Sequence, residues 1–148
     1  MIDEIRQQYS KNDVIFAQGQ GSAFLYLIER GEVGIVVEKE RQLHLINKLG
    51  PQNFIGEVEF FHGARRATSA VALSDVTLYC FKKNDILEIL EKCPQWVNDI
   101  MTTLGERNFE AMNIIVEHNI FNEDVDSYWK PKEKKEVVEQ ILAKKNSI

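Results

Sequence analysis

The sequence predicts a mainly β domain, an antiparallel sandwich or small barrel, that gives way to helices after Lys82. Three observations carry that reading. Between Val14 and Phe81, short runs of strand-forming residues follow one another at close spacing. Glycine or Asn/Asp breaks separate them, as turns between antiparallel strands require. From Asp85 onward the apolar residues recur at helical rather than alternating intervals.

Taken in order, Ile2, Ile5 and Tyr9 fall at helical spacing, so residues 1–9 read as a short helix. Asn12-Asp13 is a turn before a strand at Val14-Ile15-Phe16-Ala17. Gly19-Gln20-Gly21-Ser22 breaks the chain, and Phe24 to Ile28 is dense in strand formers. Glu29-Arg30-Gly31-Glu32 reads as a tight hairpin with Gly31 at positive φ, returning as a strand over Val33 to Glu38. Arg41-Gln42 turns into Leu43 to Leu49, whose odd positions are mostly apolar, and Gly50-Pro51-Gln52-Asn53 is a loop. Strands at Thr68 to Leu73 and Val76 to Phe81 meet at Ser74-Asp75.

The helical portion begins with Asp85 to Lys92, where Ile86, Ile89 and Leu90 share a face. Cys93-Pro94 stops that helix, and Pro94 can open the next one. A long helix then spans Gln95 to about Phe121, with Trp96, Ile100, Leu104, Ala111, Ile115 and Val116 as its apolar stripe. Gly105 weakens it by about 1 kcal/mol relative to alanine, and serves either as a hinge or for close packing. Asn122 to Ser127 is a polar connector and Tyr128-Trp129-Lys130-Pro131 an aromatic corner. A last helix over Lys132 to Lys145 carries Val137, Val138, Ile141 and Leu142 on one face. The expected organisation is one domain: a barrel with a first lid helix over 1–94, a long helix over 95–121, and a connector with a terminal helix over 122–148.

Composition narrows the chemistry. The chain of 148 residues is 44% hydrophobic and 28% charged, enough for a real core. A formal net charge of -5 disfavours non-specific contact with nucleic acid or an anionic membrane. No run is long and apolar enough to span a bilayer, and Met1 to Arg6 has no signal-peptide character. Cys80 and Cys93 offer neither a disulfide framework nor metal spacing, so a reducing cytoplasm is the expected location. His44, His62 and His118 are scattered without ligand spacing, which argues against a metal-binding cupin enzyme. There is no nucleophile elbow and no Ser/His/acid set, so no catalytic residue is expected.

The most informative stretch is Phe54 to Ala70. Gly56 lets the backbone approach a ligand closely, and Val58 to Phe61 can form a helical turn whose free N–H groups favour an anion. Arg66 adds a planar fork of donors for phosphate oxygens. Glu57 would repel a phosphate but accepts hydrogen bonds from hydroxyls such as those of a ribose. Arg65 reads as solvated or paired with Glu59. Glu59 is expected to point to water, because a carboxylate facing the pocket would weaken anion binding. Thr68 and Ser69 fit a small-residue wall, with hydroxyls able to face a purine or phosphate.

This stretch resembles the phosphate-binding cassette of the cyclic nucleotide-binding domain family, which includes the catabolite activator and the protein kinase A regulatory subunit. Gly56-Glu57 and Arg66-Ala67 stand at the family spacing. The likeness runs from Val14 to about Pro94 and takes in Ile28-Glu29-Arg30-Gly31-Glu32-Val33 and Leu49-Gly50-Pro51. It implies an eight-stranded antiparallel jelly-roll barrel (a double-stranded β-helix) interrupted by the cassette helix, with C-terminal helices. It implies binding without hydrolysis, through Phe54, Gly56, Glu57, Val58, Arg66, Ala67 and Thr68. Ala67 directly after the arginine favours cyclic AMP, where a threonine would favour cyclic GMP; a cyclic dinucleotide is a third reading.

Two roles follow from the resemblance. One is a sensor whose C-terminal helices pass ligand binding to a partner protein. The other is a ligand-degenerate module for protein–protein contact or dimerisation, using the long helix and the Tyr128–Ile148 tail. The 95–121 stripe is also a candidate lid over the purine, as helices after the barrel provide in relatives, or a homodimer seam. Lysines and glutamates are mixed in the last helix and there is no recognition helix or basic stripe, so no DNA partner is expected.

Overall fold

The computed structural model describes residues 5–121 and 124–145. Its strands are β1 (Ile5–Tyr9), β2 (Val14–Phe16), β3 (Phe24–Arg30), β4 (Val33–Lys39), β5 (Gln42–Leu49), β6 (Phe54–Ile55), β7 (Ser69–Ala72) and β8 (Val76–Lys82). Its helices are α1 (Glu57–Phe60), α2 (Lys83–Glu91), α3 (Gln95–Glu117) and α4 (Pro131–Lys144), with a 3-10 turn before α4. Two antiparallel sheets form, in the orders β1-β8-β3-β6 and β2-β7-β4-β5. The expected mainly β architecture with terminal helices is the one observed.

The chain crosses between sheets more often than the turn pattern indicated. β3 and β4 flank Gly31 but lie in different sheets, as do β7 and β8 around Ser74-Asp75. The expected hairpin at Glu29–Glu32 is therefore a corner of the jelly roll. Gly31 does hold positive φ (89°), and a Cβ there would meet the Asp75 carbonyl at 2.3 Å. The tight hairpin is instead β4–β5. Lys39 pairs with Gln42 there, and Glu40 and Arg41 both adopt positive φ, one residue earlier than the expected Arg41-Gln42 turn.

Residues 5–9 are a strand and not the expected helix; residues 1–4 lie outside the described residues. β1 covers the edge of β8, in a register running from Ile5 opposite Cys80 to Tyr9 opposite Val76. Arg6 also pairs with Glu29 at 2.9 Å. An Arg-Gln-Gln segment has little local preference, so an open sheet edge decides its conformation.

The core has two layers. Between the sheets pack Phe16, Tyr26, Ile28, Val33, Ile35, Ile55 and Leu78 with their neighbours. On the outer face of the second sheet, Val36, Leu43, Leu45 and Val71 meet Trp129, Val137, Val138 and Ile141 of the tail. This explains the unbroken apolar run of β4, which is covered on both faces. Trp129 Nε1 donates to Asn12 Oδ1 at 2.8 Å, and Lys144 Nζ donates to the Val14 carbonyl at 2.9 Å. The apolar face of the terminal helix is thus used within the chain itself.

Candidate functional site

The cassette is built around a bend. Gly56 takes φ 84° and starts α1 directly after β6. A Cβ at this position would lie 2.8 Å from Arg66 Nη1. Glycine is needed here for two reasons, the left-handed backbone and the passage of a guanidinium.

Arg66 is buried, and its position is fixed by four groups. Its Nη1 donates to the Gly56 carbonyl and its Nη2 to the Phe24 carbonyl, the latter at 2.6 Å. The ring of Phe16 lies 4.4 Å beneath the guanidinium carbon. Glu59 Oε2 is 3.6 Å from Nη1, with both side chains at most 2% exposed. Arg66 Nε has no acceptor, and it is the one such buried side-chain atom among the described residues.

Glu59 corrects the sequence reading. It is 1% exposed and does not point to water. Its Oε1 accepts from the Ala67 N–H at 2.9 Å while Oε2 faces Arg66. The physical reason is the buried guanidinium itself, which needs a counter-charge. Arg65 is exposed and donates to the Gly19 carbonyl at 2.7 Å, so it does not pair with Glu59.

A cup of about 230 Å³ opens beside the cassette. Gly56, Glu57, Val58 and Glu59 form one wall, Phe16, Ile35 and the end of β5 another, and Thr68 lines it as well. Met112 and Ile115 of α3 close the remaining side. Of the residues expected to bind a ligand, Gly56, Glu57, Val58 and Thr68 therefore come together. Arg66 and Ala67 are not in the wall; both contact Glu59, which is. Phe54 is elsewhere: strand alternation sends Ile55 into the core and Phe54 to the opposite side. There it lines a second, apolar cavity of about 490 Å³ with Phe61, Phe81, Ile86, Leu90, Met101 and Leu104. Glu57 borders both cavities.

Burial pushes the carboxyls of Glu57 and Glu59 above the ordinary value of 4.5. It lowers Arg66, an effect opposed by Glu59, and a guanidinium so placed stays charged at neutral pH. Tyr26, beside Arg66, is pushed upward by burial and stays a neutral phenol. Chemically, the cup can accept hydrogen bonds from hydroxyls at Glu57 and enclose an apolar ring. The orphaned Arg66 Nε is a donor that a phosphate oxygen would satisfy only if the cassette opened, since Arg66 is buried and does not line the cup. Among the described residues no cluster of His, Cys, Asp or Glu is arranged to hold a metal ion, and no helix is long and apolar enough to cross a membrane.

Helix α3 is seated directly on the cassette. Gly105, the buried residue of α3, lets the helix approach until its missing Cβ would be 3.1 Å from Phe61 Cβ. Close packing is what this glycine provides. His62 of the cassette stacks on Phe109 with ring centroids 4.1 Å apart. At the other end of α3, Lys39 Nζ donates to the Val116 carbonyl at 2.7 Å, a cation at the helix C-terminus. Sequence reasoning missed Phe16, Phe24 and Met112 as site residues, named Ile115 only as part of the α3 stripe, and turned Glu59 the wrong way. The one signal available for Glu59 was that a buried arginine demands an acid, and two were near.

Residues 6–93 match the family described as the cyclic nucleotide-binding domain. The chain is 31% identical over 110 residues to the cyclic AMP receptor protein of Thermus thermophilus, covering 72% of this chain and 50% of that one. It is 28% identical over 81 residues to the cAMP-dependent protein kinase regulatory subunit of Eremothecium gossypii, covering 55% of this chain and 17% of the relative. The chain thus spans half or less of these curated relatives. Among solved structures, the EAL enzyme Bd1971 in its cAMP-bound form superposes with a TM-score of 0.65 at 25% identity, over 76% of this chain and 30% of that one. The same enzyme has also been solved in a cGMP-bound form, which superposes with a TM-score of 0.66 at 26% identity, again over 76% of this chain and 30% of that one.

Proposed function

Because the chain belongs to the cyclic nucleotide-binding domain family, we propose that it binds a cyclic mononucleotide, cyclic AMP before cyclic GMP, and signals occupancy through α2 and α3 to a partner protein. The observation that carries this reading is the shared lining of the cup: Met112 and Ile115 of α3 line it together with Gly56, Glu57 and Val58. A ligand that fills the cup must bear on α3, and it shifts that helix by its differential affinity for the two placements. In this reading Glu57 accepts the ribose hydroxyl, Gly56, Val58 and Arg66 address the phosphate, and Ala67 and Thr68 stand beside it. Phe54 acts from the second cavity, next to α2. The relatives named for cyclic AMP, and the neighbour solved with cAMP and with cGMP, support the ligand class.

Calorimetric titration of cyclic AMP and cyclic GMP tests this. Saturable heat is expected with the unaltered chain and none with an Arg66→Ala variant that still melts cooperatively. A melting temperature unmoved by millimolar ligand would rule the sensor out, since a ligand that binds the fold stabilises it.

A second reading, a protein-contact or dimerisation module, is favoured by a different observation. Trp96, Ile100, Leu104 and Ile114 leave a stripe of α3 exposed, at 63%, 49%, 51% and 53%. In this reading the stripe is the contact surface, against a partner or a second copy. The solution mass of the chain, measured with and without Ile100→Glu, reports on the homodimer directly.

A further inference from the structure

Among the described residues, the cup is lined by two acidic residues, Glu57 and Glu59, and by no basic side chain. That is the reverse of what an anion needs. Arg66, the buried cation beside it, does not line the cavity and lies against three residues that do, Gly56, Phe16 and Glu59. The same carboxylate takes the Ala67 N–H. Its two oxygens therefore engage two donors that converge on one point, a backbone amide and a guanidinium. Convergent donors of this kind form an anion site, and here the chain supplies the anion itself.

We infer that Glu59 is the internal occupant of the anion position and the residue that sets the ligand selectivity of the cup. The inference rests on the cyclic-nucleotide reading. A phosphodiester carries one negative charge. To reach Ala67 N–H and Arg66 it must displace the Glu59 carboxylate or share the site with it. Sharing places two anions around one guanidinium with Glu57 close by, and like charges at such distances exclude one another in a buried site. The cup as it stands therefore discriminates against phosphate and tolerates the uncharged part of a nucleoside. Selectivity of this kind works by penalising the wrong ligand. Rotation of Glu59 away from Arg66 would free the Ala67 N–H and the Nη1 side of the guanidinium for the incoming phosphate.

Protonation of Glu59 would have the same effect. The charged groups that bear on it are Arg66 and, on its own helix, Glu57; Tyr26 on β3 bears on Arg66, and α3 contributes Met112 and Ile115 to the cup, which do not titrate. Arg66 stays charged and Tyr26 neutral over the ordinary range, so the two carboxyls are the groups that change.

The experiment compares cyclic AMP and adenosine binding by the unaltered chain, Glu59→Ala and Glu59→Gln, with melting curves for each. Glutamine keeps the volume and can still accept the Ala67 N–H, so it removes charge with little else. Both variants are expected to bind cyclic AMP at least about tenfold tighter than the unaltered chain, the scale of one like-charge contact removed. Adenosine, which lacks the phosphate, should bind all three alike. The unaltered chain should itself bind cyclic AMP more tightly as the pH falls from neutral, with a smaller change in Glu59→Gln. That measurement stands even where Glu59→Ala does not fold. If the unaltered chain binds cyclic AMP, folded variants bind it no tighter and its affinity is flat with pH, this inference is wrong and the nucleotide reading survives. If none of the three proteins binds, both fall.

Discussion

Replacing Arg66 by methionine tests whether the cassette is held together by its buried cation. The guanidinium satisfies the Gly56 and Phe24 carbonyls, opposes Glu59 at 3.6 Å and rests on Phe16. Methionine is of similar length and leaves little void. It also takes from the Gly56 and Phe24 carbonyls the donor each receives from the guanidinium and leaves one carboxylate buried without a counter-charge. Breaking a buried pair from one side costs about 3–5 kcal/mol. For a domain of this size each kcal/mol moves the midpoint by about 2–4 °C, so a drop of roughly 6–20 °C is expected. The double variant Arg66→Met/Glu59→Gln removes both charges and should lose less than the two single losses added, by about 1–3 kcal/mol. Urea denaturation followed by circular dichroism at neutral pH gives all four stabilities. An Arg66→Met loss below about 1 kcal/mol, or single losses that add within about 0.5 kcal/mol, would refute the argument.

Three further outcomes can be checked. Glu57 has a folded pKa raised above 4.5 by burial, so folding favours its protonated form. Its stabilising contribution is complete below that ordinary value and lost as the pH rises through the folded one. Glu57→Gln should therefore melt higher than the unaltered chain at pH 7, with the gain gone near pH 4. Gly105→Val should push α3 off the cassette and cost about 1–3 kcal/mol, because even the first added carbon sits 3.1 Å from Phe61 Cβ. Hydrogen exchange over 57–61 and 101–112 should rise together. Trp129→Ala should cost about 3–5 kcal/mol, since the indole is 2% exposed and joins α4 to the second sheet; limited proteolysis ahead of residue 131 reads the undocking.

Much of the fold was legible because its elements carry local signals. Strand formers between glycine and Asn/Asp breaks marked β2, β3, β4, β5, β7 and β8, and the change of period after Lys82 marked α2, α3 and α4. The Gly56-Glu57 and Arg66-Ala67 spacing marked the cassette and its family. Where a segment had no strong preference of its own, the reading failed. Ile5–Tyr9 became a strand because β8 offered an edge. The turn at Gly31 could not show that its two strands part to different sheets, since a turn signals reversal and not the partner.

The sequence by itself determined which residue types gather at one bend: a glycine, two acids and an arginine within a few turns of chain. Tertiary structure alone decided which acid meets the arginine, because charge pairing in a buried site depends on distance and solvent exclusion, neither of which spacing encodes. Glu57 and Glu59 look equivalent on paper. Both stand in the wall of the cup, and contact with Ala67 and Arg66 makes Glu59 the counter-ion.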